Sequence, residues 1–204
     1  MRGGMDKIKT GRIGLDRIKT GRVGVAGLGG LGSNIAVMLA RMGVGELLLV
    51  DYDSVTPGNL DRQHYSVTHL SMRKTDALKA QINEINPDVR ARTLDMKITA
   101  ENAVDVFSGY PIVVEAFDDP VYKADLVGAL LSDGKFKVVA ASGIAGNASA
   151  NRVMTSRRFD NLYICGDPES PECGDAEIMS PRVSIVAGHQ AHMVARLLMG
   201  LDEA

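Results

Sequence analysis

Six residues constrain this chain more than any others: Gly27-Leu28-Gly29-Gly30-Leu31-Gly32, a G-x-G-x-x-G run set between two hydrophobic rhythms. Before it, Arg22–Ala26 is a short apolar run of strand length. After it, Leu31, Ile35, Met38, Leu39 and Met42 recur at helical spacing. Glycine is needed where backbone turns tightly and approaches a phosphate closely. A helix starting there offers an anion its free N–H groups and the positive end of its dipole. Asp51 closes the next apolar run, Glu46–Val50, 19 residues after Gly32, where a carboxylate can accept from ribose hydroxyls. The turn predicts a bound nucleotide and leaves open whether that is ATP or the NAD of a dehydrogenase.

Strand and helix patterns go on alternating. Arg73–Ile85 reads as a helix, Val89–Leu94 as a strand, and Thr99–Phe107 as a helix with Thr99 its candidate cap. Pro111–Phe117, Pro120–Leu131 and Lys135–Ala141 follow as strand, helix and strand, while Val55–Ser71 is polar and irregular. This order predicts a Rossmann-like α/β fold, a mostly parallel sheet with helices on both faces. Gly166–Pro181 holds three prolines, two glycines and five acids and reads as a mobile loop. Val183, Val186, Ala187, Val194, Leu197 and Leu198 then mark a last helix ending near Gly200.

At the other end, DKIKTGRIGL (6–15) is nearly repeated by DRIKTGRVGV (16–25), and only the second copy runs into the glycine turn. Residues 1–20 are therefore expected to be a flexible N-terminal segment and 21–204 a single domain. A net charge of −2 lacks the basic surplus of a nucleic-acid binder. No apolar run approaches the ~20 residues that span a bilayer, and the N-terminus has no signal-length apolar core. Cys165 and Cys173 are too few for a disulfide scaffold. A cytoplasmic protein with neither membrane nor nucleic acid as partner is expected.

The stretch beyond Asp51 separates the two nucleotides. Asn59, Arg62 and Gln63 are followed by Lys74 at the start of a helix. Hydride transfer has no need of this set, whereas a triphosphate suits a guanidinium fork, an ammonium and a neutral amide donor. A solvated charged loop is the alternative reading.

GLGGLG, VDYDSVTPGNLDRQ, Lys74 and EAFDD at 115–119, in that order, resemble the ubiquitin-activating-enzyme superfamily in its ThiF/MoeB/HesA branch. The likeness runs from about Arg22 to Gly200. ASGIAG at 141–146 and MSPRVSIVAGHQA at 179–191 are most similar to short ThiF proteins that adenylate the sulfur carrier ThiS. The resemblance implies a ThiF-type ATP-binding adenylation domain and a cytoplasmic homodimer acting, with ATP and magnesium, on the C-terminal glycine carboxylate of a ubiquitin-fold carrier for thiamine thiazole synthesis. Gly27, Gly29, Gly30, Gly32 and Asp51 would hold the nucleotide. Asn59, Arg62 and Lys74 would hold its phosphates, and Asp118 its magnesium, with Arg62, Lys74 and Asp118 the catalytic set. A tRNA-modifying dehydratase of the same superfamily and an NAD-dependent dehydrogenase are the alternatives.

Several positions stay open. Asp118 could instead cap the helix at Pro120, and Asp119 could be a second metal ligand. Cys173 matches a cysteine that in some ThiF proteins links covalently to the carrier; otherwise it has no chemistry. Relatives often hold structural zinc with two CxxC pairs. Here Leu162 stands where the partner of Cys165 would be, so no structural zinc is expected, and His189 and His192 read as ordinary helix residues. The arginine that relatives extend into a partner subunit has no clear match, Arg12 and Arg17 being the available candidates.

Overall fold

The computed structural model describes residues 14–170 and 178–204. Among these residues seven strands form one sheet: β1 (Arg22–Ala26), β2 (Glu46–Asp51), β3 (Arg90–Asp95), β4 (Ile112–Glu115), β5 (Lys137–Ala141), β6 (Met154–Arg158) and β7 (Leu162–Gly166). Their order is β3-β2-β1-β4-β5-β7-β6, parallel throughout except for β6, which runs antiparallel to β7. Helices α1 (14–20), α2 (Gly30–Met42), α3 (Lys74–Ile85), α4 (Ala103–Val106), α5 (Pro120–Asp133) and α6 (Ser180–Leu198) complete the fold.

The apolar runs explain the layering. β2 and β4 are buried from end to end, as parallel strands covered on both faces must be. Successive side chains enter opposite cores: Leu47 and Leu49 pack with α2, α3 and α6, while Leu48 and Val50 pack with α4 and α5. α6 buries Val183, Val186, Ala187, Gln190, Ala191, Val194 and Leu197, a helical stripe that lies across the sheet and against α2. Gly43 and Gly134, both left-handed, stop α2 and α5.

Two expectations need correcting. The helix expected over Thr99–Phe107 shrinks to α4, because Asn102 closes a turn ahead of it. Its Oδ1 accepts from Thr99 N at 2.9 Å and its Nδ2 donates to Lys97 O at 3.0 Å. The β6–β7 hairpin was not expected at all, since β6 is a half-exposed edge strand (MTSRR) without apolar alternation. Residues 14–20 of the N-terminal segment form a helix with contacts to the rest of the domain. Ile18 is buried, its carbonyl accepts from Gly45 N at 3.1 Å, and Arg17 Nη1 donates to Met199 O at 3.0 Å. The rest of that segment, with Arg12, lies outside the described residues.

The loop expected before the last helix is tied down at both its described ends. Arg182, at the start of α6, donates through Nη2 to Asp167 Oδ2 at 2.7 Å and through Nη1 to Ala148 O at 2.8 Å. Arg152 adds a second guanidinium at 3.2 Å from Asp167. Burial opposes the Asp167 charge, yet the Glu169 amide, Arg182 and Arg152 outweigh it and hold the carboxyl below its usual range. A depressed native pKa stabilises the fold fully above the unfolded value of about 3.9, and that contribution is lost as pH falls through the native value. Asp167→Asn is thus expected to lower the melting temperature at neutral pH and to flatten the acid limb of thermal stability. Melts from about pH 2 to pH 7 check both.

Candidate functional site

Strand order reverses between β1 and β4, and in open α/β sheets ligands bind outside the carboxyl ends of the strands at such a point. The glycine turn leaves β1 there and Asp118 follows β4, with Ala26 in register beside Glu115. Sheet topology thus brings together two features far apart in sequence.

The turn is built tightly on its inner side and left open on its outer side. Gly27 has φ +87°, and a Cβ on Gly32 would lie 1.8 Å from Gly27 O, so α2 begins against its own entry strand. A Cβ on Gly29 would meet nothing closer than Gln63 Nε2 at 3.9 Å. Gly29, ahead of α2, has no side chain to cap it, so among the described residues the first N–H groups of α2 are left for a ligand.

Asp51 braces this turn. Its Oδ2 accepts from Leu28 N at 2.6 Å and its Oδ1 from Asp53 N at 2.8 Å, while Tyr65 OH donates to Leu28 O at 2.9 Å. Each carboxylate oxygen keeps a further lone pair for a hydroxyl. Burial, with Asp51 and Asp53 nearby, pushes the Tyr65 hydroxyl far up, so it stays a donor.

The cleft is lined by Gly27, Gly29, Gly30 and Asp51, by Arg62, Gln63 and Lys74, and by Asp118. Lys74 is only 5% exposed; its Nζ lies 2.8 Å from Asp53 Oδ2 and 3.8 Å from Asp51 Oδ2. The Arg62 loop is pinned onto α2: Asn34 Nδ2 donates to Arg62 O at 3.2 Å and His64 N to Ser33 Oγ at 2.9 Å. Arg62 Nη1 is shared between Gly58 O and Asp61.

Asn59 does not line the cleft. Its Oδ1 accepts from Thr56 N at 2.9 Å, closing a capping box on the short 3-10 turn Pro57–Asn59, so it shapes the loop that carries Arg62. Nor does Gly32, whose part is the close packing just described. Asp119, not Asp118, caps α5, accepting from Val121 N at 2.8 Å and Tyr122 N at 3.3 Å. Asp118 is left exposed, and no hydrogen bond or ion pair engages it among the described residues. Cys173 lies outside the described residues.

Asp118 fits a magnesium ion that arrives with a nucleotide. Such ions take one or two carboxylates and fill the rest of their shell with phosphate oxygens and water. Among the described residues no group of three or more His, Cys, Asp or Glu is placed to hold a metal by itself. Cys165 is buried in β7, where burial pushes its thiol up to about 11 against an opposing contact from Thr155. It is a protonated, unreactive thiol at neutral pH. His189 pairs through Nδ1 with Thr155 Oγ1 at 3.0 Å.

Other lining residues escaped the motif reading. Met96, Ile98 and Phe117 make an apolar wall, and Tyr52, Lys97 and Tyr122 its rim, with Lys97 Nζ 2.7 Å from Tyr122 OH. Ile144 and Val183 extend the wall from the ASGIAG and SPRVSIVAGHQA runs. One signal was available: 96–98 directly follow β3, at the same carboxyl edge as the glycine turn.

The ThiF family model matches residues 6–204. The chain belongs to the ThiF family. The adenylyltransferase and sulfurtransferase UBA4 of Candida glabrata is 30% identical over 187 residues, which cover 87% of this chain and 42% of that protein. The adenylyltransferase and sulfurtransferase MOCS3 of Dictyostelium discoideum is 30% identical over 188 residues, 88% of this chain and 43% of that protein. The chain therefore spans about two fifths of the length of these curated relatives. Among solved structures, the ATP complex of E. coli tRNA N6-threonylcarbamoyladenosine dehydratase, TcdA, has a TM-score of 0.83 at 20% identity, covering 94% of this chain and 93% of that one. E. coli MccB with AMPCPP and MccA has a TM-score of 0.74 at 18% identity, covering 94% and 60%. These two share the Rossmann-like fold.

Proposed function

We propose that this ThiF-family chain binds ATP in the cleft and adenylates the C-terminal glycine carboxylate of a ubiquitin-fold sulfur carrier of the ThiS type, releasing pyrophosphate. The observation that carries the proposal is the convergence of the glycine turn, Asp51, Arg62, Lys74 and Asp118, from five separate stretches of sequence, on one cleft at the β1–β4 reversal.

In this reading the first-turn N–H groups of α2 take phosphate oxygens, Asp51 accepts from the ribose, and the base lies along Met96, Ile98 and Phe117. One carboxylate oxygen of the carrier attacks the α-phosphorus. The bond from that phosphorus to the bridging oxygen breaks, leaving an acyl-adenylate and pyrophosphate. The attacking carboxylate is already ionised at neutral pH, so no side-chain base is required. An anion must still approach an anion, and the leaving pyrophosphate gains charge. Arg62 and Lys74 offset that charge from one side and Asp118 orients the metal side. Magnesium would supply further charge neutralisation across the phosphates. Lys74 must exchange Asp53 for phosphate when ATP enters, which sets its ammonium where negative charge arrives.

A specific observation supports a second reading. It is the fold shared with TcdA, a tRNA N6-threonylcarbamoyladenosine dehydratase solved with ATP. The same cleft would then activate a carboxylate on a tRNA nucleoside. Family membership weighs against the nicotinamide-dependent dehydrogenase. ATP–pyrophosphate exchange with a ThiS-like carrier, and separately with tRNA bearing the carboxylated nucleoside, decides between the two. Exchange that depends on the carrier supports the first reading; exchange only with tRNA supports the second. Absence of both, with tight binding of NAD, rejects adenylation. The homodimer and the role in thiamine synthesis come from the family resemblance. Light scattering is expected to give twice the monomer mass, and loss of the gene a thiazole requirement.

A further inference from the structure

Glu115, fully buried at the carboxyl end of β4, has no part in the scheme above, yet its contacts surround a residue that does. Its Oε1 accepts from Phe117 N at 2.7 Å and its Oε2 from Lys123 Nζ at 2.5 Å. Its carbonyl accepts from Gln190 Nε2 at 3.0 Å, which moors this end of β4 to α6. Phe117 immediately precedes Asp118, and Lys123 lies one turn into α5, whose cap is Asp119. Glu115 therefore grips both ends of the bend 116–119.

The bend is confined on its other side as well. Ala116 N donates to Ala26 O at 2.9 Å, and a Cβ on Gly27 would stand 2.9 Å from both Ala116 O and Phe117 Cδ1. The Asp118 carboxylate, by contrast, has no polar partner among the described residues, so it is the backbone bend that sets where its side chain leaves the chain. A purely structural filler in this place would be apolar, because a desolvated carboxylate is costly unless its donors are fixed. Glu115 instead directs two contacts, from the Phe117 amide and the Lys123 ammonium, at the bend, and a third, from the Ala141 amide, ties it to β5.

We propose that Glu115 is a positioning residue that presents Asp118 to the metal of a bound nucleotide by holding the Phe117 amide and the Lys123 ammonium together. The inference rests on the assignment of Asp118 above. It predicts a split between metal and nucleotide: loosening the bend weakens the metal site and leaves the glycine turn, Asp51 and Lys74 in place.

Glu115→Gln keeps the size and an acceptor for Phe117 N while removing the charge that holds Lys123. Two measurements on the full chain read the split: binding of a fluorescent ATP analogue in EDTA, and electron paramagnetic resonance titration of Mn2+ into the ATP-loaded protein. The variant is expected to bind the analogue within about two-fold of wild type and to need about ten-fold more Mn2+ for half-saturation. Unchanged Mn2+ binding overturns the proposal. So does a parallel loss of metal-free nucleotide binding, which would mean that Glu115 only holds the cleft together. Lys123→Gln leaves Glu115 a neutral donor and serves if the first variant does not fold. It is expected to shift the Mn2+ curve about three-fold the same way, and an unshifted curve overturns the proposal. Asp118→Ala separates the two levels. If it leaves Mn2+ binding unchanged, the Asp118 assignment falls and this inference with it. If it weakens Mn2+ binding and Glu115→Gln does not, only the positioning role falls.

Discussion

Asp118→Ala is expected to lower carrier-dependent ATP–pyrophosphate exchange by about a thousand-fold while leaving the melting temperature within about 2 °C of wild type. The two halves of this expectation have separate causes. Asp118 is exposed, caps no helix and has no polar partner among the described residues, so its removal leaves no buried donor unsatisfied. The cap of α5 stays with Asp119. Yet Asp118 lines the same cleft as Arg62 and Lys74, and in the proposed scheme its carboxylate meets the metal that accompanies the phosphates. Losing a group that stabilises transition-state charge typically costs ~10²–10³ in rate. Asp118→Asn should fall nearly as far, since the amide keeps the shape and loses the charge. Lys74→Ala is a less clean probe. Lys74 is buried with its ammonium against Asp53 and Asp51, so its loss also leaves two carboxylates facing each other without a cation. An Asp118→Ala protein that exchanges at near wild-type rates would remove this residue from the chemistry.

Much of the fold was legible because interior parallel strands must be apolar throughout. Arg22–Ala26 was read to the residue, and Glu46–Val50 fell one short of the true end of β2 at Asp51. The reading failed where that physical signal is absent. β6 is an edge strand whose outer side meets solvent, and MTSRR carries no rhythm; it is a strand because β7 offers it a ladder, which is tertiary information. α4 was overestimated because Asn102 diverts the backbone of 97–102 into a turn, a choice made by one side chain. The site divides along the same line. The glycine turn, Asp51, Arg62 and Lys74 stood out because charge and glycine are conspicuous in sequence, whereas Asp118 was marked by the family resemblance. Met96, Ile98, Phe117, Tyr122 and Val183 did not, since an apolar wall looks like core until sheet order shows which ends share an edge. Asn59 has a second use that its sequence position does not announce: its Oδ1 accepts from Thr56 N and caps its own loop.

The glycine turn carries two demands that substitution can pull apart. Gly32→Ala would place a methyl 1.8 Å from Gly27 O, and neither partner can yield, because both are backbone and Gly27 is itself lodged against Ala116 O. Relief requires α2 to move off β1, which breaks the packing of Ile35 and Leu39, both wholly buried beneath it. The expected cost is ~3 kcal/mol or more, lowering the melting temperature of a domain this size by roughly 6–12 °C. Nucleotide binding should be lost together with stability. Gly29→Ala is the counterpart. Gly29 has φ −78°, and among the described residues its added methyl would meet Gln63 Nε2 first, at 3.9 Å. The fold should therefore melt within about 2 °C of wild type. The methyl would instead stand in the space lined by Gly27, Gly30 and Arg62, where a phosphate must reach the backbone N–H groups of α2. ATP affinity should fall at least about ten-fold, measured by calorimetric titration, a loss of 1.4 kcal/mol or more that thermal denaturation without ligand does not register. If Gly29→Ala binds ATP as wild type does, the open side of the turn is not where phosphate lies. If Gly32→Ala melts normally, the close packing of α2 against its entry strand is not what this glycine is for.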